Sequence, residues 1–362
     1  MWAYYFYRMI QRAKRIYLLY DSRTEGLRSG EESRYIKQLE LHFGKEFKRV
    51  TVNSPIVKPE PPLPIEKTPE DIKKLEETVF SASSIQTYLA CPAKFYYSSV
   101  KGLEEVEDVE ESLQANQIGN VLHKLMQHIY GVKGGIVKAD YLKGWAKDES
   151  SLKARIYGLI RTELKTPEVT GRNLIFANVI CKYAVQVLQR DCELLEEQGA
   201  DSFNILSLEV KDQVNICGRP FKGYIDRLDS LRPGMVRVSD YKTGKVTDQE
   251  LAIEDGNAAA LADKIFSPES TDRPKIAFQL YVYDKIVQEK CPGARIFNSI
   301  YPTVRLFKEP VSVQECSEEF IRQVDGRLEE TFREMFDLQT GFRRTSDDKV
   351  CSYCDFKMLC GK

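Results

Sequence analysis

Residues 223–229, GYIDRLD, and 236–244, VRVSDYKTG, decide the fold class of this chain. Both read as short β-strands bounded by turn residues. Between them LRPG, 231–234, supplies a turn that folds one run back on the other. Asp226 and Asp240 lie fourteen positions apart and meet if the runs pair. Asp240 and Lys242 are two apart, so on a strand they face the same side. Two carboxylates and an ammonium on a buried face are costly unless an ion or a substrate uses them. Carboxylates are hard oxygen ligands suited to Mg²⁺ or Mn²⁺. A neighbouring lysine steadies an attacking water or the charge that develops on a phosphate. The set suits metal-assisted cleavage of a phosphodiester. Gly223 lets a backbone or ligand approach closely just ahead of the first acid.

The flanking chain supports a sheet covered by helices. FNILSLEVKDQVNI, 203–216, and RIFNSIYPTV, 295–304, read as further strands. Residues 140–200, IAFQLYVYDKIV at 276–287 and EEFIRQVDGRLEETFREMF at 318–336 read as helices. The expected class is α/β, a central mixed sheet flanked by helices. Residues 247–274 are polar and irregular and read as a surface insertion. Gln279 and Tyr283 stand i, i+4 on one face of an otherwise apolar helix, placed to hold the lysine or a phosphate. His123 lies in the helical run NQIGNVLHKLMQHIY, 116–130, and is a candidate third metal ligand, better matched to Mn²⁺ than to Mg²⁺. His42 and His128 read as bystanders. Glu209 reads as a solvent-facing strand residue and a weaker candidate for the site.

The chain of 362 residues carries 53 basic and 54 acidic side chains, so net charge gives no ground for nucleic-acid binding. Local basic pairs would have to serve: Lys94 with Lys101, Arg155 with Arg161, Arg343 with Arg344. No run reaches the length of a membrane span, so no membrane role is expected. The first twenty residues are aromatic and basic but poor in serine, and read as structure rather than as a targeting segment. Nine cysteines with no signal peptide point to a reducing, cytoplasmic setting. Five of them, Cys181, Cys192, Cys217, Cys291 and Cys316, are scattered and read as small buried hydrophobes. Cys351, Cys354 and Cys360 form C-x2-C-x5-C, with Cys91 far upstream before Pro92. Zinc sites commonly show two close pairs. Three ligands together and one distant fit a [4Fe–4S] cluster better, with zinc as the alternative. Joining Cys91 to Cys351 would close a loop whose ideal-chain entropy is about 5 kcal/mol, a sizeable staple.

Residues 1–52 read as helix (YYFYRMIQRAK, 4–14), strand (RIYLLYD, 15–21) and helix (SRYIKQLELHF, 33–43), too little chain for an independent core. The Pro-rich run that begins NSPIVKPEPPLP marks a linker, placed at 53–77. The main domain is placed at 78–362 and opens with FSASSIQTYLACP, where Ser83 and Gln86 resemble a capping box. The acidic run EEVEDVEES, 104–112, reads as a solvated stretch.

The segment from FSASSIQTYLACP to CSYCDFKMLC resembles the PD-(D/E)XK nuclease domain of the RecB/AddB type, in its iron–sulfur form. GNVLH, GYIDRLD, VSDYKTG, the Gln279/Tyr283 helix and the four cysteines carry the resemblance. It implies a restriction-endonuclease-like core. It also implies metal binding by His123, Asp226, Asp240 and the Tyr241 carbonyl, catalysis by Lys242, and a supporting pair in Gln279 and Tyr283. Ile225 stands where the family name has proline, and the carboxylate after it is kept. YYFYRMIQRAKRIYLLY resembles the last motif and following strand of superfamily 1 helicases, with Arg12 in the arginine position. No G-x4-GK[ST] loop is present, so the chain does not hydrolyse ATP by itself. The expectation is a DNA exonuclease of double-strand-break repair, partnered by a helicase subunit or by upstream helicase domains. A CRISPR-associated exonuclease of the same superfamily, or a non-catalytic DNA-binding module, are the alternatives.

Overall fold

A computed structural model describes residues 2–20, 24–25, 28–29, 32–51, 64–104, 112–250, 253–268 and 273–361. The chain divides into two compact units, Met1–Glu60 and Pro61–Lys362. Most of the Pro-rich run and of the acidic run lies outside the described residues.

In the first unit, α1 (Trp2–Ile10) precedes two short paired strands, β1 (Thr24–Glu25) and β2 (Arg28–Ser29), and then α2 (Arg34–Leu41). Ser33 caps α2 by accepting from the Tyr35 amide. Aromatic rings hold the helices together: Phe6 stacks on Tyr35 at 5.0 Å, and Tyr7 meets Phe43 edge-on at 5.8 Å. The strand expected at 15–21 does not form over its described part, Arg15–Tyr20. The run reads as buried, but Tyr17 and Leu19 stand exposed, and no described strand pairs with it.

The second unit begins earlier than the expected domain start. The tail of the expected linker forms α3 (Pro69–Glu77), capped by a Thr68/Asp71 capping box, with Leu75 wholly buried. Its one proline, Pro69, stands at the first helical position, where a proline is harmless. Next come α4 (Ala82–Ala90) and α5 (Pro92–Phe95), the latter running into a π-turn over Tyr96–Val100. Ser81 and Ser84, not Ser83 and Gln86, make the box that starts α4. Then follow α6 (Ala115–Tyr130), β3 (Ile136–Lys138), α7 (Ala139–Lys147), α8 (Glu149–Leu164) and α9 (Arg172–Glu197). The central strands are β4 (Ser202–Ile216), β5 (Arg219–Ser230) and β6 (Met235–Lys242). After them come α10 (Ala258–Phe266), α11 (Lys275–Lys290), β7 (Arg295–Pro302), β8 (Ser312–Gln314), α12 (Glu318–Phe336) and α13 (Asp348–Ser352).

Six strands make one sheet in the order β3-β4-β5-β6-β7-β8. β6 and β7 pair in parallel and the other neighbours are antiparallel. The parallel pair needs a crossover, and α10 with α11 provides it. Helices α6 to α9 bury Leu125, Ile156 and Leu188 against one side of the sheet, where Phe203, Tyr241 and Tyr301 meet them. Helices α4, α10, α11 and α12 bury Ile85, Ile265, Phe278 and Val324 against the other, with Phe221, Val238 and Ile300. The expected mixed α/β sheet is thus present. The expected surface insertion instead carries a core helix: α10 buries Ala258, Ala262 and Ile265, a helical spacing set in a polar run.

Candidate active site where beta5 and beta6 part

The β5–β6 ladder covers three residue pairs, from Arg227↔Ser239 to Asp229↔Arg237. Just past it, Asp226 spans the gap and accepts from the Tyr241 amide at 2.8 Å. Tyr241 is the residue between Asp240 and Lys242, so the two acids expected to converge do so. Asp226 Oδ1 lies 3.0 Å from His123 Nδ1, and His123 Nε2 lies 3.0 Å from the Tyr241 carbonyl oxygen. Helix α6 thus reaches the site through His123. Gly119, one turn earlier, lets that helix approach: a Cβ there would stand 3.2 Å from Thr243 Oγ1.

Asp240 faces a different set of groups. Its Oδ2 lies 2.8 Å from the Lys242 ammonium, though without the alignment of a hydrogen bond. Gln279 on α11 accepts from Lys242 Nζ at 2.7 Å and donates to Asp240 Oδ1 at 3.4 Å. The same amide donates to the Tyr283 hydroxyl, which donates to the Tyr224 carbonyl. The i, i+4 pair of α11 therefore forms a chain that ends on the lysine. Gly223 seats this helix, since a Cβ there would fall 2.5 Å from Ile286 Cδ1 and 3.3 Å from Tyr283 Cδ1.

Glu209 completes the site. Leu208 pairs with Arg227 and Val210 with Ile225, so Glu209 falls opposite Asp226. Its φ of 49° is left-handed, rare for a residue with a side chain. Ligand atoms of His123, Glu209 and Asp226 lie within 4.8 Å of one another. Among the described residues this is the group close enough to share one ion, and Asp240 stands outside it. Strand alternation alone turns Glu209 toward solvent, which is why the sequence reading ranks it low. The left-handed backbone is the missing signal, and it is visible only in three dimensions.

The electrostatics follow from burial and proximity. Burial opposes a charge on His123, but the bond to Asp226 and the charges of Asp226 and Asp240 outweigh it, and its pKa is pushed up to about 9. Burial raises the Asp240 carboxyl, Lys242 lowers it, and Asp226 raises it further. Burial, then the Asp226 charge, raises Glu209. Two carboxylates, an imidazole and a carbonyl oxygen are a donor set that fits a divalent ion, which would replace the imidazole proton on binding.

The four expected cluster ligands are less closely gathered. The Cys91 segment and the C-terminal segment do meet: Ala93 N–H donates to the Arg343 carbonyl at 3.0 Å, and Tyr97 packs on Phe356 at 5.5 Å. Burial, then the charges of Cys91 and Cys354, raise the Cys360 thiol. No three of the described thiols lie close enough together to share one ion. All nine cysteines are unpaired. The expected basic pairs are largely engaged internally. Lys94 meets Asp355, Lys101 meets Asp71, Arg343 meets Glu334, and Arg344 donates to the Cys360 carbonyl. Arg155 is bonded to His128. Among the described residues no helix is long and apolar enough to cross a membrane.

A carboxylate pair, a lysine clamped by glutamine, and a histidine on a neighbouring helix thus gather at the parting of two strands of a mixed sheet, an arrangement suited to holding a divalent ion. Residues 79–361 match the model of the PD-(D/E)XK nuclease superfamily, and the chain belongs to that superfamily. Membership implies a metal-dependent nuclease. An uncharacterised protein of Rickettsia conorii, RC0550, is 21% identical over 188 residues, which are 49% of this chain and 20% of the relative. The match thus spans about a fifth of that relative's length. Among solved structures, the crystal structure of SSO0001 is similar over 68% of this chain and 94% of its own, with 14% identity and a TM-score of 0.24.

Proposed function

We propose that this chain is a Mg²⁺- or Mn²⁺-dependent DNA nuclease that digests a strand threaded past the site, as the exonuclease part of a helicase–nuclease in double-strand-break repair. The observation that supports it best is the convergence of His123, Glu209 and Asp226 beside Asp240 and Lys242. His123, Glu209, Asp226 and the Tyr241 carbonyl would hold the ion, with Asp240 next to them. When bound, the ion supplies Lewis-acid polarisation of the phosphodiester and of the attacking water. Lys242, held by Gln279 and Asp240, presents a fixed ammonium to the charge that develops on the phosphate. Tyr283 fixes Gln279 and so the direction of the lysine. The resemblance of residues 4–20 to a helicase motif supports the helicase partner, and the meeting of the cysteine segments supports a [4Fe–4S] staple.

Lys242→Ala is the test. Digestion of linear DNA with Mn²⁺ should fall by about a hundredfold or more, the scale of losing one preorganised charge, while DNA binding persists. Unchanged digestion would reject the proposal.

A further inference from the structure

Behind the candidate site lies a cluster of charges cut off from water. Arg227 follows Asp226 in β5 and is fully buried. It donates to Asp229 at 2.8 Å, to Asp191 on α9 at 2.8 Å, and to the Tyr241 hydroxyl at 2.9 Å. Arg237 on β6, 4% exposed, donates to both oxygens of Asp229, at 2.7 and 2.9 Å. Asp191 also accepts from the hydroxyls of Tyr130 on α6 and Tyr301 on β7. The cluster thus joins α6, α9, β5, β6 and β7.

Such a network is weak evidence for stability, because well-packed apolar side chains of similar volume often stabilise a core as well or better. What charged hydrogen bonds add is direction. The β5–β6 ladder covers three residue pairs, and a slip of one between these two strands would put Asp226 on the face opposite Asp240 and Lys242. The bonds from Arg227 to Ser239, at 3.2 Å, and from Arg237 to Asp229 cross that ladder in its observed register. On α6, Tyr130 follows His123 by seven residues, two helical turns, so both lie on one face. His123 meets the candidate site and Tyr130 meets the cluster. Tyr241 serves both with different atoms: its carbonyl faces His123 and its hydroxyl accepts from Arg227.

We infer that this buried ion network is the positioning device of the divalent-ion site, with Tyr130 and Tyr241 as positioning residues that set where the His123 ring and the Tyr241 carbonyl stand. The inference rests on the metal-dependent nuclease reading. Tyr130→Phe and Tyr241→Phe each remove one hydroxyl and leave the two arginines and two aspartates in place. Mn²⁺ calorimetry on the full chain and both variants should show affinity weakened about 10- to 100-fold, the usual effect of losing an outer support of a metal site. For Tyr130→Phe, which lies outside the ligand set, digestion at saturating Mn²⁺ should approach the parent rate, with the loss confined to the Mn²⁺ concentration needed. Variants that melt earlier yet bind Mn²⁺ as tightly as the parent would overturn the inference, since the network would then serve stability alone. If Tyr130→Phe does not fold, Tyr241→Phe decides, because Arg227 keeps its bonds to Asp191 and Asp229 there. A parent that binds no Mn²⁺ would sink the metal reading itself, whereas a parent that binds, beside variants that bind equally, would sink the positioning role only.

Discussion

Asp284, on the inner face of α11, shows how a single carboxyl sets a pH dependence. Burial pushes it up to about 7, against the hydrogen bonds from Asn298 and Cys316. Asn298 donates to it at 3.0 Å, while the Asn298 side-chain oxygen is buried without a partner. A protonated Asp284 can supply the donor that this oxygen lacks. The unfolded carboxyl ionises near 4. Between about pH 4 and 7 the folded chain holds a proton that the unfolded chain has released, so this group's contribution falls as pH rises through that window and is flat above it. Asp284→Asn is neutral throughout and offers the same donor. It should exceed the parent by roughly 2–4 kcal/mol at pH 8, since each pH unit between the unfolded and folded ionisation points is worth about 1.4 kcal/mol, and the gain should vanish near pH 4. Urea midpoints at the two pH values check this, and equal midpoints at pH 8 would refute it. Glu209 makes a second residue-scale case. Glu209→Gln removes a charge from the ligand group, so Mn²⁺ affinity should drop by tenfold or more while the fold is retained. A titration unchanged from the parent would exclude it as a ligand.

At the scale of elements, Gly223 is the contact on which α11 rests. Gly223→Ala would press a methyl group against Ile286 and the Tyr283 ring. Overpacking of this kind costs about 1–3 kcal/mol. The displaced ring would pull Gln279 from Lys242, so digestion should fall along with the denaturation midpoint. Loss of stability with undiminished digestion would show that α11 does not aim the lysine. The elements legible in the sequence are those whose pattern is local. The alternation around Asp226 and Asp240, and the i, i+4 pair on α11, point to five side chains that the structure brings near one another. Three features are not legible because their cause is tertiary. The backbone of Glu209 is left-handed within the β4–β5 ladder, and no local pattern in the chain announces it. The apolar face of α10 has meaning only against α12. The apolar run at Arg15–Tyr20 has no ladder beside it among the described residues. The tail of the Pro-rich run misleads for a different reason: a proline at the start of α3 opens a helix as readily as it marks a linker.

At the scale of the whole molecule, the two faces of the sheet have different duties. One face brings His123 on α6 to Asp226 and the Tyr241 carbonyl, and the other brings Gln279 on α11 to the lysine. The proposed cysteine staple would act on neither directly. It would tie the helix start at Cys91 to the C-terminal segment, which already meet through Ala93 and Arg343. Cys354→Ala should therefore abolish the broad visible absorbance of an anaerobically purified sample and lower the melting temperature, while the Mn²⁺ site stays intact in what remains folded. A parent that shows no absorbance band, or a variant as stable as the parent, would remove the staple.

The parallel junction of β6 and β7 gives the molecule a built-in order of assembly. A chain emerging from the ribosome exposes Asp226, Asp240 and Lys242 well before Gln279, and β7 emerges later still. Until the α10–α11 crossover has been made and docked, the lysine has no amide to aim it. Under the proposed nuclease function, an unfinished polypeptide would therefore be a blunt tool, sharpened only once synthesis has passed α11.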